Sequence, residues 1–236
     1  MIISIFFALL PLLFYFIKFG TFNMIYQIGA ANIDNFSLLR LQELFIDLNI
    51  GVFPYLPFLF IGTLFFLFLL LFKLFKNKKS ISKDHIITIL GLCLTIPLEA
   101  ALSTFTLNWN HGTNGPSRYN IWIIPVFIFI FVEICLLYKS KFINILSSVI
   151  TIFTVIITGC YAYLIISNNN FMKPIYHSPL ATFVLNTYPH LYNPSPEIFI
   201  IRTGNINKNI DISQFNEVMV YKDKKGDCKK VYIPKS

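Results

Sequence analysis

The apolar residues of this chain come in long blocks that are separated by shorter polar segments. A helix needs about 20 predominantly apolar residues to cross the hydrocarbon core of a bilayer. Several blocks approach or exceed that length, and they cover residues 2–17, 53–72, 86–107, 121–138 and 142–166. The pattern predicts an all-α polytopic membrane bundle of about five transmembrane helices within residues 1–166.

Residues 37–48 form a shorter segment with apolar residues at helical spacing and Ser37 in the N-cap position. Its apolar face would carry Leu38, Leu41, Phe45 and Leu48, and its polar face would carry Arg40, Glu43 and Asp47. Such a helix either lies flat in the membrane interface or packs on top of the bundle. We expect the carboxylate of Asp47 to be solvated on the helix surface.

The chain changes character in residues 167–236, where polar, proline-rich and tyrosine-rich stretches replace the apolar blocks. Residues 217–221 and 229–233 are two β-prone runs about the glycine-bearing turn 224–227, which is the pattern of a β-hairpin. About seventy residues with so few strands bury little core of their own. We therefore predict a small α+β tail that contains a β-hairpin and leans on the bundle.

Lysines set the orientation of the predicted bundle. They crowd the link of residues 73–83 and occupy the short link of residues 139–141. Lysine and arginine are retained on the cytoplasmic side of a membrane, so both links are expected to be cytoplasmic. The N-terminus is then cytoplasmic as well, and residues 18–52, residues 108–120 and the C-terminal tail are extracytoplasmic. The expected location is a cell membrane, favoured to be a bacterial inner membrane.

Composition agrees with a membrane protein, because hydrophobic residues make up 56% of the chain and charged residues only 13%, against about 25% charged residues in soluble domains. The net charge of +8 comes from lysines between and after the apolar blocks. They lack the aromatic interleaving of a nucleic-acid surface, so no nucleic-acid partner is expected. No disulfide, metal site, cofactor site or catalytic triad is predicted from the cysteine, histidine and acidic residues.

The loop of residues 109–119 is the candidate site. Arg118 is its only charged residue, and a guanidinium matches the geometry of a phosphate. The alternative is an arginine that reaches to anionic lipid headgroups. Trp109 would either stack on a sugar or anchor the interface, and His111 would either bind a ligand or be an ordinary loop residue. Two further residues of this loop complete the candidate ligand contacts, Asn114 and Tyr119.

Glu99 is a second candidate, because it falls inside the third apolar block, roughly 12–15 Å from its outer end at helical rise. A carboxylate at that depth is costly and suggests a function. It would either be a neutral acid bonded to a neighbouring helix or, if the backbone unwinds near Pro97, a partner of Arg118. Glu133 also lies in an apolar block, and we expect Lys139 or Lys141 to satisfy it.

Three segments together resemble a known family. Residues 44–57 contain the sequence Gly-Val-Phe-Pro-Tyr-Leu-Pro, residues 109–125 contain Gly-Pro-Ser-Arg-Tyr followed by a proline, and residues 192–199 read Tyr-Asn-Pro-Ser-Pro-Glu-Ile-Phe. These segments are similar to motifs of bacterial polyprenyl-phosphate-sugar-dependent glycosyltransferases of the GT-C superfamily. That group includes relatives of protein mannosyltransferases and of the arabinose transferase that modifies lipid A.

The resemblance implies that Arg118 and its neighbours contact a polyprenyl-phosphate sugar lipid. The acidic motif that supplies the catalytic carboxylate in the first outer loop of that superfamily is not matched in this sequence. We therefore expect the N-terminal catalytic part to be absent, so that the chain is either the C-terminal half of a split or degraded gene or a short relative with another role. No catalytic residue is assigned.

Two functions from different classes follow. The first is a partial or split glycosyltransferase that helps to transfer the sugar to an extracytoplasmic acceptor. Its base would be Asp34, Asp47 or Glu99, or would come from a separate N-terminal half chain. The second is a non-enzymatic accessory or scaffold subunit in contact with membrane lipids, or an inactive remnant. A transporter is a third and less favoured reading.

Overall fold

The computed structural model describes residues 2–22, 31–76, 82–110, 115–138, 140–168, 173–206 and 215–234. The described part is mostly helical, with one small sheet. The helices are α1 (Ile2–Phe19), α2 (Leu38–Ile46), α3 (Val52–Tyr55), α4 (Pro57–Lys76), α5 (Lys83–Thr104), α6 (Ile123–Leu137), α7 (Lys141–Ser167), α8 (Pro179–Thr187) and α9 (Pro196–Thr203). The strands are β1 (Met219–Lys222) and β2 (Cys228–Tyr232).

Four helices are long and apolar enough to cross a membrane, namely α4, α5, α6 and α7. Helix α6 reaches this length together with the 3₁₀ turn Asn120–Trp122 that precedes it. Four such helices fit an integral membrane protein. Helix α1 forms at the first predicted block, but its described apolar part, Leu9–Phe19, is shorter than a span. The predicted helical membrane bundle is thus confirmed for four spans of the five.

The core of the bundle lies where α4, α6 and α7 meet. The rings of Phe66 and Phe131 stack with centroids 5.2 Å apart, and Ile130 and Ile134 are fully buried beside them. Gly62 lets α7 approach, since a Cβ there would lie 2.9 Å from Cδ1 of Ile150. The opposite faces of these helices are apolar and exposed, as expected of surfaces that meet lipid.

The bundle has two ends, which we call the lysine end and the loop end. At the lysine end, the ammonium of Lys73 lies 4.7 Å from the ring centroid of Tyr138. There His85 Nδ1 also lies 2.9 Å from Glu133 Oε2. The expectation for Glu133 is not met by Lys141, because antiparallel packing of α5 and α6 places His85 opposite Glu133; Lys139 lies outside the described residues. The loop end carries α2, α3 and residues 105–110 and 115–122.

The chain breaks between α3 and α4, inside a block that was predicted as one helix. Leu56 has φ −130° and ψ 48°, outside the helical region. It precedes Pro57, whose ring disfavours the helical conformation of the preceding residue. Pro57 itself begins α4, where its missing N–H costs no helical hydrogen bond. The break turns α3 away from α4 and places Tyr55 and Leu56 at the loop end.

The polar face of α2 is turned inward. Glu43 is only 5% exposed and Asp47, the C-cap of α2, is 3% exposed, whereas Leu38 on the predicted apolar face is 72% exposed. The expectation that Asp47 is solvated on the helix surface is therefore wrong. The physical reason is that residues 192–202 of the tail pack on this face and supply hydrogen bonds to its charges.

The predicted β-hairpin is confirmed. Strands β1 and β2 are antiparallel, with Val220 opposite Val231 and an irregularity between Tyr221 and Lys222. The turn is closed by the carboxylate of Asp223, which accepts from the backbone N–H groups of Lys225 and Asp227. The ammonium of Lys230 donates to the carbonyls of Pro189 and Tyr192, which fixes the hairpin to the segment before α9.

Candidate functional site

Arg118 is exposed at the loop end, and its side chain is held by its neighbour. Its Nη2 donates to the hydroxyl of Tyr119 at 2.9 Å, and its guanidinium carbon lies 4.8 Å from the centroid of that ring. The Tyr119 hydroxyl in turn donates to Asn108 Oδ1 at 2.7 Å. The bond to Tyr119 is the only hydrogen bond of the Arg118 side chain within the described residues, so its other donors have no described protein partner.

Backbone contacts to residues 49 and 50 position the segment before Arg118. The N–H of Gly115 donates to the carbonyl of Asn49 at 3.1 Å, and the N–H of Ser117 donates to that of Ile50 at 2.8 Å. Gly115 has φ +120°, a conformation open to glycine and strained for other residues. The hydroxyl of Ser117 donates to the carbonyl of Trp109 at 3.0 Å. These contacts hold the segment 115–118 against the turn after α2.

An apolar groove of 360 Å³ lies beside this segment, between the ends of α3, α6 and α7. Its lining residues are almost all apolar or aromatic: Tyr55, Leu56, Gly115, Pro116, Ile121, Ile124, Thr158, Tyr161, Ala162 and Ile165. Gly115 and Pro116 form part of one wall of the groove, and Arg118 follows Pro116 two residues later in the chain. The groove and the exposed Arg118 therefore both lie at the loop end.

Trp109 and Glu99, the other predicted site residues within the described part of the chain, do not join Arg118. Trp109 is 1% exposed, and its indole N–H donates to Glu197 Oε2 at 2.7 Å, so it connects the loop to α9. Glu99 lies partly exposed on α5, and within the described residues no hydrogen bond or ion pair joins it to Arg118. His111 and Asn114 lie outside the described residues. Of the predicted set, the structure brings together Arg118 and Tyr119.

A partly buried ion pair lies beside Trp109. Arg40 of α2 and Glu197 of α9 form a two-bond contact, Nη2 to Oε1 at 2.5 Å and Nε to Oε2 at 3.2 Å. The Nη1 of Arg40 donates to the carbonyls of Asn35 and Thr104, and its guanidinium carbon lies 5.6 Å from the Trp109 ring centroid. Every nitrogen of Arg40 that can donate is thus occupied inside the protein.

A second buried network surrounds Asp47. The Tyr192 hydroxyl donates to Asp47 Oδ2 at 2.6 Å, while Oδ1 accepts from the N–H groups of Asn49 and Ile50. Asn49 Nδ2 donates to the same Tyr192 hydroxyl at 2.6 Å. Burial raises the pKa of the Asp47 carboxyl, and the hydrogen bond from Tyr192 and the charge of Arg202 oppose that rise. This network joins α2 to the tail.

Glu43 is a second buried acid of this end. Its Oε1 accepts from the N–H of Ser195, while its buried Oε2 has no hydrogen-bond partner in the described part of the chain. Burial, with a further contribution from the nearby carboxylate of Asp47, raises the pKa of Glu43 from 4.5 to about 8. The carboxyl group is therefore mostly protonated at neutral pH.

Glu43 and Asp47 line a cavity of 290 Å³ between α2 and residues 191–194. The sequence interpretation missed this cavity. A usable signal was present, because two acids four residues apart on one helix repel each other and are unusual in a chain with few charges. The partners that stabilise them lie about 150 residues away, which no local pattern reveals.

Comparisons with known proteins leave the family open. No protein-family model, curated protein or solved structure matches this chain. The resemblance to the GT-C superfamily in residues 44–57, 109–125 and 192–199 accordingly stays a hypothesis.

Proposed function

We propose that the chain is an integral membrane protein of the glycosyltransferase type, whole or partial, that binds a polyprenyl-phosphate-linked sugar at the loop end of its bundle. The observation that carries the proposal is the apolar groove whose wall includes Gly115 and Pro116, two residues before the exposed Arg118. The polyprenyl chain would lie in the groove and the phosphate would meet the guanidinium. The resemblance of the loop to GT-C motifs supports the same ligand.

The lysine pattern supports an outward-facing loop end. Lys73 and Lys83 belong to the opposite end of the bundle, and basic residues are retained on the cytoplasmic side. A lipid-linked donor bound at the loop end would then be used outside the cytoplasm of a cell membrane. The tail, which packs on α2, would lie on the same outer side.

The chemistry available to Arg118 is electrostatic. A guanidinium can bind two phosphate oxygens at once, and a cation placed there would stabilise the phosphate as it leaves the sugar. Glycosyl transfer also needs a base for the acceptor hydroxyl. Asp47 is already saturated by hydrogen bonds on both oxygens, and Asp34 is bonded to the amide of Asn32. Neither carboxylate contacts Arg118.

That last observation favours a second candidate function, a lipid-binding accessory subunit without catalysis of its own. In such a complex a partner chain, such as a separate N-terminal half, would supply the base. Both candidate functions use the same lipid site, and they differ only in whether this chain itself catalyses sugar transfer. A purified chain that moves radiolabelled sugar from a polyprenyl phosphate donor through several turnovers would favour the enzyme, and binding without transfer would favour the accessory subunit.

The lipid site is tested by binding of undecaprenyl phosphate to the purified chain in detergent, with undecaprenol as the uncharged control lipid. We expect Arg118→Ala to weaken binding of the phosphate about 10- to 100-fold, since a charged hydrogen bond contributes about 1.5–3 kcal/mol. Undecaprenol binding should not change. Lys224→Ala removes an exposed cation of the hairpin turn and serves as the matched control.

A block of the groove provides the complementary variant. Ala162 lines the groove on α7, and Ala162→Trp should reduce binding of both lipids because the ring occupies the channel. Unchanged phosphate binding in Arg118→Ala would refute the headgroup assignment. An equal loss of phosphate-lipid binding in Lys224→Ala would show that the lipid responds to the overall positive charge of the protein and not to Arg118 in particular.

A further inference from the structure

Helix α5 carries a carboxyl group, that of Glu99, inside its membrane-spanning segment. Glu99 precedes the end of α5 at Thr104 by five residues, which places it about 8 Å inside that end at helical rise. The Cα–Cβ bonds of a helix tilt toward its N-terminus, and the N-terminus of α5 is at the lysine end. The carboxyl group of Glu99 therefore leans toward the middle of the span and away from the water at the loop end.

Glu99 has no side-chain partner in the described part of the chain. The hydroxyl of Ser103 donates to the backbone carbonyl of Glu99, but within the described residues no hydrogen bond or ion pair reaches its carboxyl group. Acidic side chains in membrane helices are costly, and they almost always face other helices or pair with one another. The structure thus leaves one polar group of the bundle in need of a neighbour.

The face of α5 that carries Glu99 has the surface of a helix contact. Thr88, Gly91 and Thr95 precede Glu99 on the same side of the helix, and all three are exposed. The buried residues of α5 lie on a different side. A Cβ placed on Gly91 would meet no atom within 4 Å. Such small residues allow the backbone of another membrane helix to come close.

The first helix of the chain does not fill this face. The described side chains of α1, residues 9–19, are all exposed. The Thr95 hydroxyl is already bonded to the carbonyl of Leu92 in its own helix. Among these residues it is therefore the carboxyl group of Glu99 that decides which partner fits.

A second copy of the chain offers the group that Glu99 needs. In hydrocarbon the neutral carboxylic acid is the less costly form, and it both donates and accepts a hydrogen bond. Two copies inserted in the same orientation hold Glu99 at the same depth. A two-fold axis along the membrane normal brings the same face of both copies together, so each Glu99 can satisfy the other.

We propose that the chain forms a homodimer in the membrane through the face of α5 that comprises Thr88, Gly91, Thr95 and Glu99, with the two Glu99 carboxyl groups hydrogen-bonded to each other. The inference goes beyond the lipid site, because no residue of α5 lines the apolar groove of the loop end. A chain that dimerises without binding undecaprenyl phosphate would refute the proposed function and leave the dimer standing.

The first test is oxidative cross-linking of the full chain in native membranes, with single cysteines in an otherwise cysteine-free background. Thr95→Cys should give a disulfide-linked dimer. Leu90→Cys is the matched control, because Leu90 is 57% exposed on another side of α5. Native Cys160, which is exposed on α7, is the second control when it is kept as the single cysteine. Neither control should cross-link.

The second test measures energy transfer between labelled copies in liposomes at a fixed ratio of protein to lipid. Glu99→Leu should weaken dimerisation about 5- to 30-fold, as expected when a hydrogen bond between membrane helices is lost. Glu99→Gln, whose amide also donates and accepts, should stay within about threefold of the wild type. Both variants should bind undecaprenyl phosphate as the wild type does.

A third variant blocks the contact and leaves the carboxyl group in place. Gly91→Leu should abolish the close approach of the two helices. Gly159→Leu is its control, since Gly159 is an exposed glycine of α7 that also has nothing within 4 Å of an added Cβ. It should dimerise like the wild type.

Three results would overturn the proposal. The first is that Thr95→Cys gives no dimer. The second is that Leu90→Cys and Cys160 cross-link as efficiently as Thr95→Cys, which would indicate random collisions. The third is that Glu99→Leu and Gly91→Leu both associate like the wild type, which would exclude this face of α5 as the contact.

Discussion

Arg40 and Arg118 lie at the same end of the molecule and have opposite surroundings. Arg40 is largely buried, all its donor nitrogens are bonded, and Glu197 neutralises its charge. Arg118 is exposed, and its side chain makes one hydrogen bond within the described residues, to the neighbouring Tyr119. The comparison separates a cation that holds the fold together from a cation that remains available to a ligand.

The same contrast applies to the two cavities. The groove at residues 115–116 is almost wholly apolar, whereas the cavity beside Glu43 contains buried acids whose partners come from the tail. The first is suited to a lipid chain, and the second lies where hydrogen bonds join α2 to the tail. Variants that lower stability without changing lipid binding, or lower lipid binding without changing stability, distinguish a structural role from a ligand-binding role.

The largest expected effect is the loss of the Arg40–Glu197 pair. Arg40→Ala or Glu197→Ala leaves the other charge unpaired and largely buried, at a cost of at most the about 3–5 kcal/mol that is typical of a fully buried pair. We expect a clear fall in the unfolding temperature of the purified chain in detergent. The double variant Arg40→Met with Glu197→Met should recover part of the loss, because no unpaired charge remains, while the indole N–H of Trp109 still lacks the acceptor that Glu197 provided. A double variant as unstable as the singles would contradict this account.

The next effect concerns the pH dependence of stability at Glu43. The pKa of Glu43 is about 8 in the folded chain, against an ordinary value of 4.5. Its contribution to the free energy of unfolding is therefore fully present below about pH 4.5 and is lost as the pH rises through 8. Glu43→Gln does not titrate. Relative to the wild type it should therefore gain stability between pH 5 and pH 9, on the order of 3 kcal/mol.

Unfolding curves of both proteins across that pH range check this prediction. Asp47 and Glu197 also face Glu43, but they remain in the variant, so the difference between the two proteins isolates Glu43. Parallel pH profiles for wild type and Glu43→Gln would show that Glu43 is ionised in the folded chain at neutral pH.

A smaller effect is expected from Tyr192→Phe, which removes the hydroxyl that donates to Asp47 and accepts from Asn49. Two buried groups then lose one hydrogen bond each, at a cost of about 1–3 kcal/mol. Tyr188→Phe changes a largely exposed tyrosine four residues earlier and is the control. Equal unfolding temperatures for the two variants would mean that the Asp47 network adds nothing to stability.

The smallest expected effect on stability is that of Arg118→Ala. Surface substitutions usually stay within about 0.5 kcal/mol, and the Arg118 side chain bonds only to its neighbour within the described residues. The unfolding temperature should therefore match that of the wild type while phosphate-lipid binding falls. A large loss of stability would place Arg118 in the same structural class as Arg40.

The parts of the fold that depend on local pattern could be predicted from the sequence. The apolar blocks predicted the helices α4 to α7, and the β-prone runs about Gly226 predicted the hairpin. The helix break at Leu56 was overlooked, although it is also a local feature that follows from the ring of Pro57. Local chemistry was sufficient for these elements.

The buried face of α2 could not be predicted in this way. An amphipathic pattern assumes that charged residues face water, but Arg40, Glu43 and Asp47 each find a partner in the tail, in Glu197, Ser195 and Tyr192. The burial of Trp109 could not be predicted for the same reason, because its partner Glu197 lies 88 residues away. For the candidate site, the sequence pointed to Arg118 and Tyr119 and missed Glu43.

The long separation between α2 and its partners has a consequence for biosynthesis. The N–H of Ser195 that bonds to Glu43 is made 152 residues later than Glu43 itself. While the ribosome adds that stretch, the charges of α2 lack their tail partners and must stay in water or among headgroups. Helix α2 thus leaves the ribosome early but reaches its final place only after the tail has emerged.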